Sequence, residues 1–203
     1  MNRSTTVVFT GDSVTDCGRR DDPAGIGDGY VGLLAATEAF AAARIVNTGV
    51  GGDLTVDLAA RWERDVLAHR PAVVSVLIGI NDVWRRYDGT GRITTAEEYA
   101  ATLRGMLARL DPGTRLVLVE PFALPVGPGQ ERWEAEDLGA KRAVVRDLAA
   151  GTGAAFVPAQ QALIAAIDPA AGAAGLTADG VHPTARGHEV LARAWQAAMP
   201  GLQ

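Results

Sequence analysis

Short apolar runs alternate along the chain with longer stretches in which apolar residues return every three or four positions. The runs Thr6–Thr10, Arg44–Asn47, Val73–Ile78, Leu116–Val119 and Ala154–Val157 are strand-sized and predict five buried β-strands. Between them, Tyr30, Leu33, Leu34 and Thr37 follow an i, i+3, i+4, i+7 pattern. Leu54, Leu58, Trp62 and Val66 form a second stripe. Tyr99, Leu103, Met106, Leu107 and Leu110 form a third, ended by Asp111-Pro112-Gly113. Leu138, Val145 and Leu148 mark a fourth helix, and Leu191, Ala194 and Trp195 the last. Strands that alternate with helices are joined by right-handed crossovers, so the pattern predicts an α/β fold: a parallel sheet with helices on both faces. The Pro- and Gly-rich stretch Pro121–Glu134 is too long for an ordinary turn. It is expected to overhang the carboxyl ends of the strands as a wall or lid, with a disordered surface loop as the alternative.

Composition narrows the setting. At 203 residues the chain predicts one domain, spanning 1–203. Hydrophobic residues make up 48% and charged residues 21%, which is globular composition. The net charge of −5 argues against non-specific attraction to nucleic acid or an anionic membrane. A single cysteine, Cys17, excludes an internal disulfide and a Cys-based zinc site. No run approaches the ~18 apolar residues of a membrane span. The first residues, Met-Asn-Arg-Ser, lead into a strand pattern without an apolar leader segment, and a cytoplasmic location is expected.

In an open α/β sheet, ligands bind beyond the carboxyl ends of the strands. The residues there are Gly11-Asp12-Ser13-Val14-Thr15-Asp16 after the first strand, Asn47-Thr48-Gly49-Val50-Gly51-Gly52-Asp53 after the second and Gly79-Ile80-Asn81-Asp82 after the third. Asp179-Gly180-Val181-His182-Pro183 precedes the last helix. Taken singly, each has an ordinary explanation as a cap, a tight turn or a core histidine. Together the four loops supply a hydroxyl, a flexible backbone, an amide and an Asp/His pair, which are the parts of covalent acyl transfer. Gly180 lets its loop bend and Pro183 stiffens the exit, so the Asp179 carboxylate can reach Nδ1 of His182 and leave Nε2 facing Ser13. His69 reads as surface and His188 as packing or exposed.

Other chemistries fit less well. Ser13 lacks the G-x-S-x-G elbow of α/β-hydrolases. Asp12 has Val14 two positions on, where a phosphoryl acceptor of the D-x-D type needs an acid. Gly49 to Gly52 lack G-x-G-x-x-G spacing. No histidine pair has metal-ligand spacing, and neither a metal nor another cofactor is expected.

Gly11-Asp12-Ser13, Gly52, Asn81 and the Asp179/His182 pair resemble, in order, the four blocks of the SGNH (GDSL-type) hydrolases. The likeness covers nearly the whole chain, with Val14 in place of the name-giving leucine. Gly11–Arg20, Gly29-Tyr30-Val31, Ala60-Arg61-Trp62 and Ile78–Arg85 are similar to the bacterial cytoplasmic acetylxylan esterases of that superfamily. The resemblance implies a flavodoxin-like three-layer α/β/α sandwich with a five-stranded parallel sheet in 2-1-3-4-5 order. It also implies Ser13 as nucleophile, His182 as general base and acid and Asp179 as its orienting partner. The oxyanion hole would be the N–H groups of Ser13 and Gly52 and the Asn81 amide. Asp12, Trp84 and Trp133 are the candidate substrate contacts. The partner implied is a small acetylated carbohydrate, and the activity is removal of acetyl groups from xylo-oligosaccharides or related sugars. A short-chain thioesterase or lysophospholipase-type esterase of the same superfamily is one alternative. A non-catalytic carbohydrate-binding relative is another, and a nucleotide-binding flavodoxin-like protein a more distant one. Self-association as a homo-oligomer stays open.

Overall fold

Val7, Val8, Phe9, Val73, Val74 and Val117 are all within 1% of complete burial, as central strands covered on both faces must be. The computed structural model describes residues 5–200. Met1–Ser4, on which the expectation of a cytoplasmic location partly rests, lies outside them. The strands are β1 (Thr6–Gly11), β2 (Arg44–Asn47), β3 (Val73–Leu77), β4 (Arg115–Val119) and β5 (Ala155–Val157). They pair in parallel in the order β2-β1-β3-β4-β5. This is the expected sheet, and the two central strands carry the loops singled out above.

The period of two along each strand sorts side chains between two cores. Val7, Phe9, Val73, Leu77, Val117 and Val119 face one side. They meet α2 (Tyr30–Ala35), α7 (Ala159–Ala165) and α8 (Ala185–Ala198). On the other side, Val8, Val74, Val76 and Leu118 pack against Leu58, Trp62, Leu103 and Val145. These come from α3 (Thr55–Asp65), α5 (Ala96–Leu107) and α6 (Gly139–Thr152). In the first core the Phe9 ring touches Tyr30, Phe40 and Trp195 at centroid distances of 5.4 to 6.1 Å. The buried Trp195 indole donates to Ser75 Oγ at 2.9 Å, which spares its N–H an unpaired burial.

Two helices end two or more residues short of their stripes. Helix α2 stops at Ala35, and Thr37 turns extended while its hydroxyl donates to Leu34 O at 2.8 Å. Helix α5 ends at Leu107, ahead of the Asp111-Pro112 break. Two further helices, α1 (Ser13–Asp16) and α4 (Ile80–Trp84), are too short to show a period. The sequence reading also missed α7. A third apolar cluster joins Ile80, Val83, Trp133, Leu138 and Val181. It roots the stretch Pro121–Glu134, whose first residues are buried and whose Leu124 N–H donates to Gly180 O at 2.8 Å. The stretch is therefore a packed wall beside the Asp179–His182 turn. Among the described residues no helix is long and apolar enough to cross a membrane.

Candidate active site

Strand β1 ends at Gly11, where a Cβ would lie 1.9 Å from Leu77 O. Only glycine lets β1 close this tightly on β3. The chain then turns at once into α1, with Asp12 as its N-cap and Ser13 as its first residue. Val14 is buried at 3% exposure, so the departure from leucine leaves its core role unchanged.

Ser13 Oγ lies 2.8 Å from His182 Nε2. His182 Nδ1 lies 2.6 Å from Asp179 Oδ2. The other oxygen, Asp179 Oδ1, accepts the backbone N–H groups of Val181 at 3.0 Å and His182 at 2.8 Å. Residues 169 positions apart thus form one continuous hydrogen-bonded chain from hydroxyl through imidazole to carboxylate. Burial pushes the Asp179 carboxyl up, but the N–H groups of His182 and Val181 and the imidazole outweigh it. The net direction is below the usual range, so Asp179 is charged at neutral pH. The turn itself is held by Ala178 N donating to His182 O at 2.9 Å.

The Gly49–Gly52 loop runs beside Ser13, with a Cβ on Gly51 falling 3.8 Å from that of Ser13. Gly52 has φ +85, a conformation that L side chains rarely adopt. Its missing Cβ would point into open space, with Arg85 Nη2 nearest at 3.9 Å. Glycine is thus favoured here by the backbone angle. Asn81, 8% exposed, donates from Nδ2 to Asp53 O at 3.0 Å, which ties the amide to the residue after Gly52. One amide hydrogen is engaged there and the other is left for a ligand.

The three expected substrate contacts separate. Trp84 is half-buried, and its ring lies 6.0 Å from that of His182. Trp133 is 4% exposed; it backs Trp84 at 5.9 Å and stacks on Tyr87 at 5.5 Å. Its surroundings also include a cavity of about 490 Å³ shared with Glu120, Pro125, Gln130, Arg142 and Phe156. Asp12 is 1% exposed: Oδ1 accepts Val14 N at 3.1 Å, and Oδ2 has no hydrogen-bond partner among the described residues. Burial drives the Asp12 carboxyl up to about 7, against the pull of Val14 N–H and His182.

Several residues at the site were not among the expected site residues. Gln130 donates to Asp179 O at 2.7 Å while its own oxygen accepts from Val126 and Gly127. Arg61, 8% exposed, donates to Gly11 O, Thr48 O and the carboxylates of Asp53 and Asp65. One guanidinium thereby joins the end of β1 to the glycine loop. His188 is 6% exposed; its Nδ1 accepts Tyr30 N–H at 3.1 Å, so Nε2 carries the proton and faces Cys17 Sγ at 3.2 Å. Arg19 and Arg20 both pair with Asp16. Among the described residues no three His, Cys, Asp or Glu side chains converge to hold a metal ion.

The profile of the GDSL-like lipase/acylhydrolase family matches residues 9–190. An acetylxylan esterase of Geobacillus stearothermophilus is 39% identical over 205 residues, covering 93% of this chain and 91% of its own. A solved variant of an acetyl-xylooligosaccharide esterase from that organism superposes with a TM-score of 0.82 at 36% identity, over 98% of this chain and 96% of its own. Two further variants of it, with a serine or an aspartate replaced by alanine, are described as catalytic mutants. An α/β hydrolase from the metagenome of Lake Arreo, Spain, superposes with a TM-score of 0.83 at 34% identity, over 100% and 98% of the two chains.

Proposed function

The chain belongs to the GDSL-like lipase/acylhydrolase family and is a carboxylic ester hydrolase; from that premise we propose that it removes acetyl groups from xylo-oligosaccharides or related sugars through an acetyl-serine intermediate. The observation that carries the reading is the chain Ser13–His182–Asp179, closed at 2.8 and 2.6 Å. His182 Nε2 takes the hydroxyl proton as Ser13 Oγ bonds to the acetyl carbonyl carbon. The carbonyl electron pair moves onto oxygen. That charge is met by the N–H groups of Ser13 and Gly52 and by the Asn81 amide, each such donor typically worth ~10²–10³ in rate. The intermediate collapses, the sugar oxygen leaves with the proton from Nε2, and the acetyl group stays on Ser13. Water then gives its proton to His182 and attacks the acetyl-serine, and acetate leaves as Ser13 recovers its proton.

Trp84 is the surface for the sugar ring, since it is the half-exposed aromatic beside His182. Trp133 supports it from behind, and Asp12 acts beneath the nucleophile without touching substrate. The acetyl preference is supported by the relatives' names. The same reading places the protein in the cytoplasm, where short imported oligosaccharides, and not the polymer, reach the site.

Hydrolysis of p-nitrophenyl acetate, butyrate and octanoate and of acetylated xylobiose by wild type and Ser13→Ala tests the proposal. Acetate and acetylated xylobiose are expected to be cleaved fastest, and Ser13→Ala to lose the activity. Preference for octanoate would replace the sugar with a lipid or thioester. Full activity in Ser13→Ala would remove the acyl-enzyme.

A further inference from the structure

Helix α3 begins just after the glycine loop with a cap that leaves Thr55 out: the Asp57 carboxylate accepts only the Leu54 N–H, at 3.0 Å. Leu54 holds the N-cap position, and its side chain has no acceptor to offer the first N–H groups. The Thr55 N–H is instead satisfied from 27 residues away. Asp82 Oδ2 accepts it at 3.0 Å and accepts the Thr55 hydroxyl at 2.9 Å. Both residues are fully buried. Asp82 follows Asn81, whose amide holds Asp53 O at 3.0 Å. Two consecutive residues of α4 therefore grip Asp53 and Thr55, and Gly52 is the next residue back along the chain.

We propose that Asp82 is a positioning residue for the oxyanion hole: by holding Thr55 it fixes the Gly52–Asp53 segment against Asn81 and so sets where their N–H groups converge. This rests on the oxyanion role proposed above for Gly52 and Asn81. Charge alone predicts the opposite effect. A buried carboxylate near a developing oxyanion opposes it, so removing the charge while keeping the geometry should leave turnover equal or faster. Loss of the acceptor should slow it.

Three variants separate the two effects, each made alone and with Asn81→Ala, and read as kcat and KM for p-nitrophenyl acetate. Asp82→Ala removes the acceptor and is expected to lower kcat about 10- to 100-fold, as misplaced catalytic groups do. Thr55→Val removes one of the two donors and is expected to cost about 3- to 10-fold, the equivalent of one hydrogen bond. Asp82→Asn keeps an oxygen for Thr55 without the charge and is expected to hold wild-type kcat or exceed it. KM should stay within about twofold throughout. On the Asn81→Ala background, Asp82→Ala and Thr55→Val should cost markedly less, because the residues act as a unit. The inference is overturned if Asp82→Asn falls as far as Asp82→Ala, or if the losses are unchanged without Asn81. Circular dichroism shows whether Asp82→Ala folds; if it does not, Thr55→Val and Asp82→Asn decide, and wild-type kcat in Thr55→Val overturns the inference. Asn81→Ala alone reads the parent assignment. Full turnover there sinks the oxyanion reading and this inference with it, whereas a loss there with none in Asp82→Ala or Thr55→Val sinks only the role of Asp82.

Discussion

Replacing Asp179 by asparagine is expected to disable His182 without moving it. Asparagine has one acceptor oxygen where aspartate has two. In the wild type, Oδ1 accepts two backbone N–H groups and Oδ2 faces Nδ1 alone. At about 1 kcal/mol net per hydrogen bond, the single oxygen settles where the two backbone donors point. The amide NH₂ then faces Nδ1, which must become an acceptor, and the ring proton moves to Nε2. That nitrogen donates to Ser13 Oγ and can no longer take its proton. A wrong tautomer of this kind costs ~10⁴ in kcat in serine hydrolases generally, equivalent to about 5.5 kcal/mol of barrier. Because the turn keeps its backbone bonds, the melting temperature should move by only a few degrees. Initial rates of acetate release give kcat, and ¹⁵N NMR of the imidazole reports which nitrogen carries the proton. A variant that keeps more than about a tenth of wild-type kcat, or a His182 still protonated at Nδ1, would refute the reasoning.

Lys141 is fully buried, donating to Thr94 O at 2.8 Å and to Asp137. Lys141→Ala leaves that carboxylate uncompensated and should cost about 3–5 kcal/mol, read as a fall of roughly 10 °C in thermal unfolding, while Lys141→Met with Asp137→Leu should restore most of it. Burial raises the Asp12 carboxyl to about 7, so the folded protein holds that proton more tightly than the unfolded chain. Its contribution is fully present below about pH 4 and is lost as pH rises to about 7, on the order of 4 kcal/mol at most. Asp12→Asn should lack this decline when unfolding is measured across that window, and parallel curves for the two proteins would contradict the burial argument. Trp84→Ala should raise KM for acetylated xylobiose about 10-fold, as loss of an aromatic platform does, with p-nitrophenyl acetate kinetics little changed. Equal losses on both substrates would assign Trp84 to holding the site and not the sugar.

The chain order alone determined the layers, because apolar runs and helical stripes follow from which faces must leave water. It also placed Ser13, Gly52, Asn81 and His182 at loops following strands or preceding α8, since glycines and polar residues interrupt those runs. The short helices α1, α4 and α7 left no usable period, being one or two turns long. Trp84 and Trp133 were indistinguishable as aromatics in sequence; only packing against Tyr87 and Leu138 buried the second and left the first beside His182. That Gly52 takes a backbone angle L side chains rarely adopt was decided by the folded loop. Gln130, Arg61 and the Asp82–Thr55 pair act through hydrogen bonds across 13 to 50 positions. Such partners share neither a helix turn nor a strand register. Their pairing is decided by the parallel sheet, which brings the carboxyl ends of β1, β2 and β3 together and obliges the buried polar groups there to satisfy one another.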